Sequence, residues 1–417
     1  MNTNTRKNII INQATLFWEI LVLFFLMPVN MVQGNSVDIF PDHPNPPAED
    51  PFDGDYVLNG RYIDVNFEEL EHIRGAMLES GEPQQVMVRL FDEVVLDIIL
   101  DRVEHSVSGG WTLSGKVVGD EFSLVTLSRQ DDIFLADFRT SDKIFQVEYY
   151  VGTHRIIELD NFQLIEDQPP LIPLLTEGPV SALATSDDDG SRIDVLVVYT
   201  ADALNYVGGS SAMQARINSY ISETNSSYSN SLINQRLVLV GTDQIAYDET
   251  NFVFLTALER ITQKGDGHLD NVHALRDVYN ADVVVMLVEN LSYCGQAWLL
   301  RGVNTYGISR FSTNAFSVVS VNNNCIYTFA HETGHNLGGC IMSRIPTIQV
   351  HMHILMDTGW GILVLPVSNT PLCLIHVMEI MFVSLIFQTQ TSTMEATRLE
   401  RQIMLILPVL STIQLQG

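Results

Sequence analysis

The chain has 417 residues, of which 46% are hydrophobic, so it is long enough for two folded units with sizeable cores. Its formal net charge is -28, from 50 acidic and 22 basic side chains. So acidic a chain cannot neutralise phosphates, which argues against nucleic acid as a partner. The simplest interpretation of the charge is solubility outside the cell or an acidic propeptide.

Residues 1–34 have the features of a secretory signal peptide. Arg6 and Lys7 precede an apolar run at 20–29, and small residues up to Gly34 fit a signal-peptidase site. The run is shorter than the roughly 20 residues that span a bilayer, so a signal anchor is the less favoured alternative. We therefore expect a secreted, extracellular protein with no stable membrane partner.

A mostly β domain is predicted for residues 35–165. Short alternating segments at 85–90, 111–113, 122–127 and 144–149 are separated by turn residues. This domain alone would also fit a secreted β-rich adhesion protein. A linker follows at 166–191, where prolines and an acidic run predict an exposed segment that suits removal of a propeptide.

Residues 192–339 are predicted to form an α/β domain because strands and helices alternate along them. Buried strands are expected at 193–199 and 281–288, and a strand or hairpin at 237–246. The predicted helices lie at 211–226, 251–262 and 271–279.

His331, Glu332 and His335 form an H-E-x-x-H motif, which is typical of zinc peptidases. Residues four apart share one face of a helix, so both imidazoles can bind one ion as metal ligands. Glu332 lies about 100° further around the helix, where it can act as general base toward a water that Zn²⁺ has activated. Gly338 can adopt the positive φ that reverses the chain after the helix. Two histidines on an ordinary amphipathic helix are the alternative.

The four cysteines all lie at or after Cys294. In an exported protein Cys294 and Cys325 are natural disulfide partners, and the loop they close is worth roughly 3–4 kcal/mol in the chain-entropy model. A propeptide in this chain therefore has no thiolate with which to silence a metal.

The span 193–339 resembles the reprolysin-like metzincin zinc metalloproteases, and most closely the bacterial peptidyl-Asp metalloendopeptidase group. The matching stretches are IDVLVVYT from Ile193, VHALRD from Val272, LVEN from Leu287, YCG from Tyr293 and TFAHETGHNLG from Thr328.

The resemblance implies an α/β zincin-like (metzincin) catalytic domain with a mixed sheet and an active-site helix, preceded by a mostly β propeptide domain. It also implies a single Zn²⁺, the Cys294–Cys325 disulfide and cleavage of protein or peptide substrates at Asp. We expect a monomer, and we expect the strand around 315–321 to be the edge that pairs with extended substrate.

The third zinc ligand of the metzincin pattern is missing. The pattern places a histidine at position 341, where this chain has Ile341. Four later residues are possible ligands by type but not by spacing: Cys340, His351, His353 and Glu379.

Residues 340–417 differ from the rest in composition, and we hypothesise that they are a frameshifted tail. If one nucleotide were missing near codons 339–340, the shifted codon at 341 would encode only His or Tyr. Two functions remain open: a secreted zinc-dependent metalloendopeptidase, or a catalytically inactive metzincin-fold product that is at most a binding module.

Overall fold

A computed structural model describes residues 38–47, 56–150, 152–160, 165, 167–173, 191–300 and 312–338, together with the backbone of a hairpin at 349–356 and 359–366. The predicted signal peptide and most of the linker lie outside the described residues. So do Ile341, Cys340, Glu379 and the side chains of His351 and His353, and the frameshift remains a hypothesis. In the described part of the chain, no helix has the length and apolarity needed to cross a membrane.

Eight strands between residues 57 and 159 form one antiparallel sheet in the order β1-β8-β7-β6-β5-β4-β3-β2. Successive strands from β2 to β8 are neighbours, and β1 pairs with β8. The strands are β1 (Val57–Ile63), β2 (Gln84–Phe91), β3 (Val94–His105), β4 (Trp111–Val117), β5 (Leu124–Gln130), β6 (Ile133–Arg139), β7 (Ile144–Tyr150) and β8 (Thr153–Leu159).

One helix interrupts this β region, and the sequence pattern did not predict it. Helix α1 (Phe67–Ser80) begins after Asn66, whose side chain accepts a hydrogen bond from the Glu69 amide, and it ends at Gly81 with φ 69°. These are the signals of a helix start and stop. The buried residues of α1 pack on one face of the sheet and close an apolar core.

A second, five-stranded sheet has the order β10-β9-β11-β13-β12. Its first four strands are parallel and β12 is antiparallel, so the sheet is mixed, as predicted. The strands are β9 (Arg192–Tyr199), β10 (Arg236–Gln244), β11 (Val283–Val288), β12 (Gly295–Ala297) and β13 (Phe316–Ser320).

The position of the edge strand corrects one prediction. We expected the strand around 315–321 to form the edge, but β13 pairs with β11 on one side and β12 on the other. All five β13 residues are buried, as expected for an inner strand. The edge is β12, whose three residues are too few to show a periodic pattern.

Helices cover both faces of the mixed sheet because alternate strand residues point to opposite sides. Val195 and Val197 of β9 face one core, and Leu196 and Val198 face the other. The helices are α2 (Ala201–Val207), α3 (Ser210–Asn230), α4 (Phe254–Thr262), α5 (Asp270–Tyr279) and α6 (Thr328–Asn336). The strands and helices predicted in this region are therefore present, with ends shifted by a few residues.

The first residues of the linker are less exposed than the sequence predicted. Residues 167–173 run along β12, where the Gln168 amide donates to the Gly295 carbonyl at 2.9 Å and Leu171 forms a parallel bridge with Trp298. Most of these residues are half-buried, and Pro173 is buried. The apolar side chain of Leu171 explains this, since it packs with Trp298 against the core of the second sheet.

Candidate metal centre

Helix α6 carries the H-E-x-x-H motif and is held against the edge of the mixed sheet. A disulfide joins Cys294, just before β12, to Cys325, three residues before α6, with Cα atoms 5.1 Å apart. This confirms the predicted pairing. At the other end of the helix Gly338 has φ 92°, the positive value that the sequence predicted.

His331 and His335 lie on one face of α6, as their spacing predicts. Their ring centroids are 4.5 Å apart and the rings meet edge to face. His335 is fully buried, whereas the His331 side chain keeps 22% of its exposure. The two imidazoles are therefore adjacent, and of the two only His331 is partly open to solvent.

Glu332 is fully buried beside β12. Neither of its carboxylate oxygens has a hydrogen-bond partner among the described residues. A Cβ atom on Gly295 would come within 2.7 Å of the Glu332 Cγ, so only glycine lets the helix approach the strand this closely. Gly295 thus places the proposed base at the edge of the sheet, a role that sequence reasoning did not identify.

Asp167, from the start of the linker, joins this group from outside the motif. Its Oδ2 lies 3.4 Å from His331 Nδ1, and its carboxylate, the His331 imidazole and the Glu332 carboxylate have ligand atoms within 4.8 Å of one another. Asp167 Oδ1 is buried without a hydrogen-bond partner in the described part of the chain. The only sequence signal was an acidic residue in the linker, which is too common to indicate a site.

Burial shapes the protonation of all three groups. It lowers the pKa of His331 below its usual range, so the imidazole is neutral at pH 7 and its contact with Asp167 is not an ion pair. Burial raises the pKa of Asp167 to about 6. Burial, with a further contribution from the Asp167 charge, raises the pKa of Glu332 well above its ordinary value.

Asn336, next to His335, fixes the end of the helix. Its Nδ2 donates to the carbonyls of Trp298 and Phe316, at 2.8 and 3.0 Å, and so ties α6 to the segment after β12 and to β13. The Leu300 amide donates to the His335 carbonyl at 3.0 Å. These bonds fix the backbone that carries His335.

The residues present fit a bound cation. The His331 imidazole and the carboxylates of Asp167 and Glu332 converge, with His335 next to His331 on the helix. Unpartnered buried carboxylate oxygens are costly unless they are protonated or face a positive charge. His331, His335 and Asp167 offer nitrogen and oxygen atoms of the kinds that zinc binds, and Glu332 stands beside them. The structure thus brings together all three residues that the motif predicted and adds a fourth.

Residues 189–339 match the family model described as metallo-peptidase family M12. The residues of the candidate metal centre on α6 and β12 lie within that span. This match supports the reprolysin-like classification that the sequence motifs indicated, and the family that it names consists of peptidases that use a metal.

The curated relatives that this chain matches share one name. The peptidyl-Asp metalloendopeptidase of Xanthomonas campestris is 32% identical over 54% of this chain and 52% of the relative. That of Stenotrophomonas maltophilia is 30% identical over 64% of this chain and 66% of the relative. The chain therefore spans about half to two thirds of the relatives it matches. The structure of metalloproteinase-II from Bacteroides fragilis aligns with 64% of this chain and 84% of its own, at 13% identity and a TM-score of 0.41.

Proposed function

We propose that this protein is a secreted zinc-dependent metalloendopeptidase, made with an N-terminal propeptide that includes the eight-stranded sheet. The observation that carries the proposal is the pair of adjacent imidazoles on α6 with the buried carboxylate of Glu332 between them in sequence. Zinc held by His331 and His335 would supply Lewis acidity to a water and to the peptide carbonyl. Export rests on the predicted signal peptide at 1–34 and the disulfide.

Glu332 is the group that would accept the proton of the attacking water. A base works best when its pKa is close to the working pH, and burial moves the pKa of Glu332 upward from the usual carboxylate range. The close approach of Gly295 fixes the Glu332 side chain at the edge of the sheet, beside the strand on which a peptide would lie. Glu332 therefore has the position and the environment of a general base.

The substrate proposed is a polypeptide, cut next to Asp, because the curated relatives are named for peptidyl-Asp bonds. No side chain in the described part of the chain is assigned to this preference. The enzyme is expected to act as a monomer.

The test is a Glu332→Gln variant, with Glu259→Gln as the matched control because Glu259 is exposed on α4. We expect Glu332→Gln to keep about one zinc per chain and to hydrolyse casein roughly 10²–10⁴-fold more slowly, the usual contribution of a general base. The control should match wild type. A peptide with Asp at the cleavage site should be cut faster than its Asn counterpart. Full casein hydrolysis by Glu332→Gln would refute the mechanism.

A second candidate function follows from Ile341, which stands where the metzincin pattern has its third histidine. It is a catalytically inactive M12-fold product that at most binds peptides. Wild-type protein that holds less than one zinc per chain and leaves casein intact would favour this candidate. Sequencing the gene through codons 335–345 tests the frameshift, and an intact reading frame in independent clones would exclude it.

A further inference from the structure

A cavity of about 330 Å³ lies on the face of the mixed sheet opposite to the motif helix. Its walls come from the end of α4, from α5 and from a single 3-10 turn, Ser312–Asn314, just before β13. The inward residues of α4 and α5, such as Ile261 and Val272, belong to one core of the sheet, whereas Phe329 of α6 belongs to the other. The cavity is therefore a different place from the candidate metal centre.

Basic and hydroxyl side chains dominate the lining of this cavity. The basic ones are Lys264, His273 and Arg276, and the hydroxyl ones are Thr262, Ser312 and Thr313. Asp277 is the one acidic lining residue among the described residues, so the charges of Lys264 and Arg276 outweigh it. Such a group stands out in a chain with 50 acidic and 22 basic side chains. Its charges and hydroxyl donors suit an oxyanion, such as a carboxylate or a phosphate.

Arg276 is held in place before any ligand arrives. Its Nε and Nη2 donate to the carbonyls of Ala281 and Asp282, at 3.0 and 2.5 Å, and its guanidinium lies over the Phe316 ring, 5.0 Å from the centroid. Nη1 has no hydrogen-bond partner among the described residues. A guanidinium fixed in this way loses little conformational entropy when its remaining N–H groups bind an oxyanion.

Lys264 lies on a loop whose course is also fixed. The Asp270 carboxylate accepts hydrogen bonds from the amides of Gly265 and Gly267, and both glycines have positive φ, at 86° and 85°. The Lys264 side chain itself is exposed. The loop therefore holds Lys264 at the rim of the cavity, where its ammonium group can reach a ligand.

One tryptophan joins the cavity to the edge of the sheet. Trp298 directly follows β12, and its Nε1 donates to Thr262 Oγ1 of the cavity wall at 2.8 Å. Its carbonyl accepts from Nδ2 of Asn336, the neighbour of His335, at 2.8 Å. A polypeptide that lies along β12 and continues past Trp298 comes to the rim of the cavity. The cavity is thus placed to contact a chain whose other part lies at the metal centre.

We propose that this cavity, the basic cavity, binds a side-chain carboxylate of an acidic polypeptide and so contacts the substrate away from the bond that is cut. The proposal rests on the proposed function for the identity of that polypeptide as substrate. It is separate from the preference for Asp at the cleavage site. Free phosphate has the same chemistry as a ligand, but the position of the cavity at the end of β12 favours a polypeptide.

The first test is calorimetric titration of the full chain with a tetraglutamate peptide blocked at both ends, compared with tetraglutamine and with inorganic phosphate. Lys264→Glu reverses a charge at the rim, and Lys143→Glu is the matched control because Lys143 is exposed on the eight-stranded sheet side of the chain. Tetraglutamate should bind at least about tenfold more tightly than tetraglutamine, and Lys264→Glu should weaken its binding at least about tenfold. Lys143→Glu should bind it as wild type does.

Three results would overturn the basic cavity as a polypeptide site. Lys264→Glu could bind tetraglutamate as tightly as wild type, or tetraglutamine could bind as tightly as tetraglutamate. Phosphate could also bind while tetraglutamate does not, which would make the cavity a site for small free anions. Since Lys264 is exposed, its replacement leaves the packing of the domain intact, and a loss of binding is then a loss of the contact.

The second test asks whether the bound polypeptide is a substrate. Two peptides carry the same cleavable bond, one extended by glutamates and the other by glutamines. Wild type and Lys143→Glu should prefer the glutamate peptide, and Lys264→Glu should lose this preference through KM rather than kcat. An unchanged preference in Lys264→Glu would overturn the substrate contact. A wild-type chain that binds tetraglutamate but cuts neither peptide would refute the proposed function while the basic cavity stands, so the two failures are distinguishable.

Discussion

Strands β4 to β7 of the eight-stranded sheet are buried on both faces, but the two faces differ in chemistry. Along β6, Phe134, Ala136 and Phe138 enter the apolar core under α1, while the alternate residues Asp137 and Arg139 point to the opposite face. The same alternation holds in the neighbouring strands. The residues buried on the polar face are Thr112, Ser114, Thr126, Ser128, Gln130, Gln146, Glu148 and Arg155.

The polar face meets helix α3 of the second domain, and α3 is polar on the side that it presents to the sheet. Four of the hydrogen bonds between the two surfaces join side chains or main-chain groups 2.5 to 2.9 Å apart. They run from Arg139 Nη2 to Glu223 Oε2, from Ser128 Oγ to the Ala215 carbonyl, from Ser106 Oγ to Asn218 Oδ1, and between the hydroxyls of Ser114 and Ser222. The Arg139 guanidinium also lies over the ring of Tyr327, 3.7 Å from the ring centroid. Tyr327 is the residue immediately before α6.

The apolar face is therefore suited to a permanent core, whereas the polar face can separate from helix α3 and meet water. Thr126 Oγ1, Gln146 Oε1 and Asn218 Nδ2 lack hydrogen-bond partners within the described part of the chain, so water would bind them better than the interface does. Buried charges contribute little net stability, because desolvation offsets their attraction. If the sheet is a propeptide, as we propose, its removal would expose a polar face of helix α3 on the second domain.

The largest effect is expected on the apolar face, from Phe138→Ala. Phe138 is fully buried, and removing its ring should lower the free energy of unfolding by about 3–5 kcal/mol. Denaturant unfolding of the full chain measures this loss. Hydrogen exchange should accelerate throughout the sheet, because the core that holds its strands together is weakened.

Phe122→Ala is the control for the size of the substitution, since Phe122 is 88% exposed in the same domain. It should change the free energy of unfolding by less than about 0.5 kcal/mol. Equal effects of the two variants would mean that the apolar face is not the stabilising core of this sheet.

A smaller effect is expected on the polar face, from Arg139→Met in the next position of the same strand. Arg139 is 4% exposed between Asp137 and Glu223, so its loss removes the cation that is paired with both buried carboxylates. We expect the free energy of unfolding to fall by about 3 kcal/mol, which is the low end for a broken buried ion pair. The loss is at the low end because Glu223 can hold a proton instead.

The regions in which hydrogen exchange accelerates distinguish the two faces better than the size of the stability loss does. Hydrogen exchange should accelerate in β6 and α3, on the two sides of the interface, and remain slow in α1. Lys143→Met removes an exposed pair with Glu158 and should cost less than about 1 kcal/mol. If Arg139→Met accelerates exchange in α1 and the whole sheet as Phe138→Ala does, the distinction between the faces is wrong.

Local pattern predicted the parts of this molecule that depend on local geometry. The four-residue spacing of His331 and His335 placed both on one helix face, and Gly338 has the positive φ expected of it. Alternation in the strands predicted a β domain but not that its polar face would be buried, because the helix that covers it comes some eighty residues later in the chain.

The contacts that escaped prediction are all long-range. Asp167 reaches the site because residues 167–171 run along β12, and no local pattern in three residues could identify β12 as an edge. Glu223 was expected on a helix, but its burial beside Asp137 and Arg139 depends on two elements that meet only in the folded protein.

The smallest effect is expected from Glu223→Gln, and it depends on pH. Burial, together with the Asp137 carboxylate, raises the pKa of Glu223 to about 8, while the unfolded value stays near 4.5. The native state therefore holds a proton that the unfolded state releases between these values, so the contribution of Glu223 to stability falls as pH rises from about 4.5 to 8. Glutamine cannot ionise and removes this part of the pH dependence.

Relative to wild type, Glu223→Gln should gain stability on the order of 2–3 kcal/mol between pH 6 and pH 9, since about two units separate pH 6 from the native pKa and each unit corresponds to about 1.4 kcal/mol. Denaturant unfolding at the two pH values measures the difference, with Glu259→Gln, exposed on α4, as the control. If the effect of Glu223→Gln is the same at pH 6 and pH 9, Glu223 is already ionised in the native interface at pH 6. The polar face would then be held by a charged pair that separation must break, and it would resemble the apolar face in resisting release.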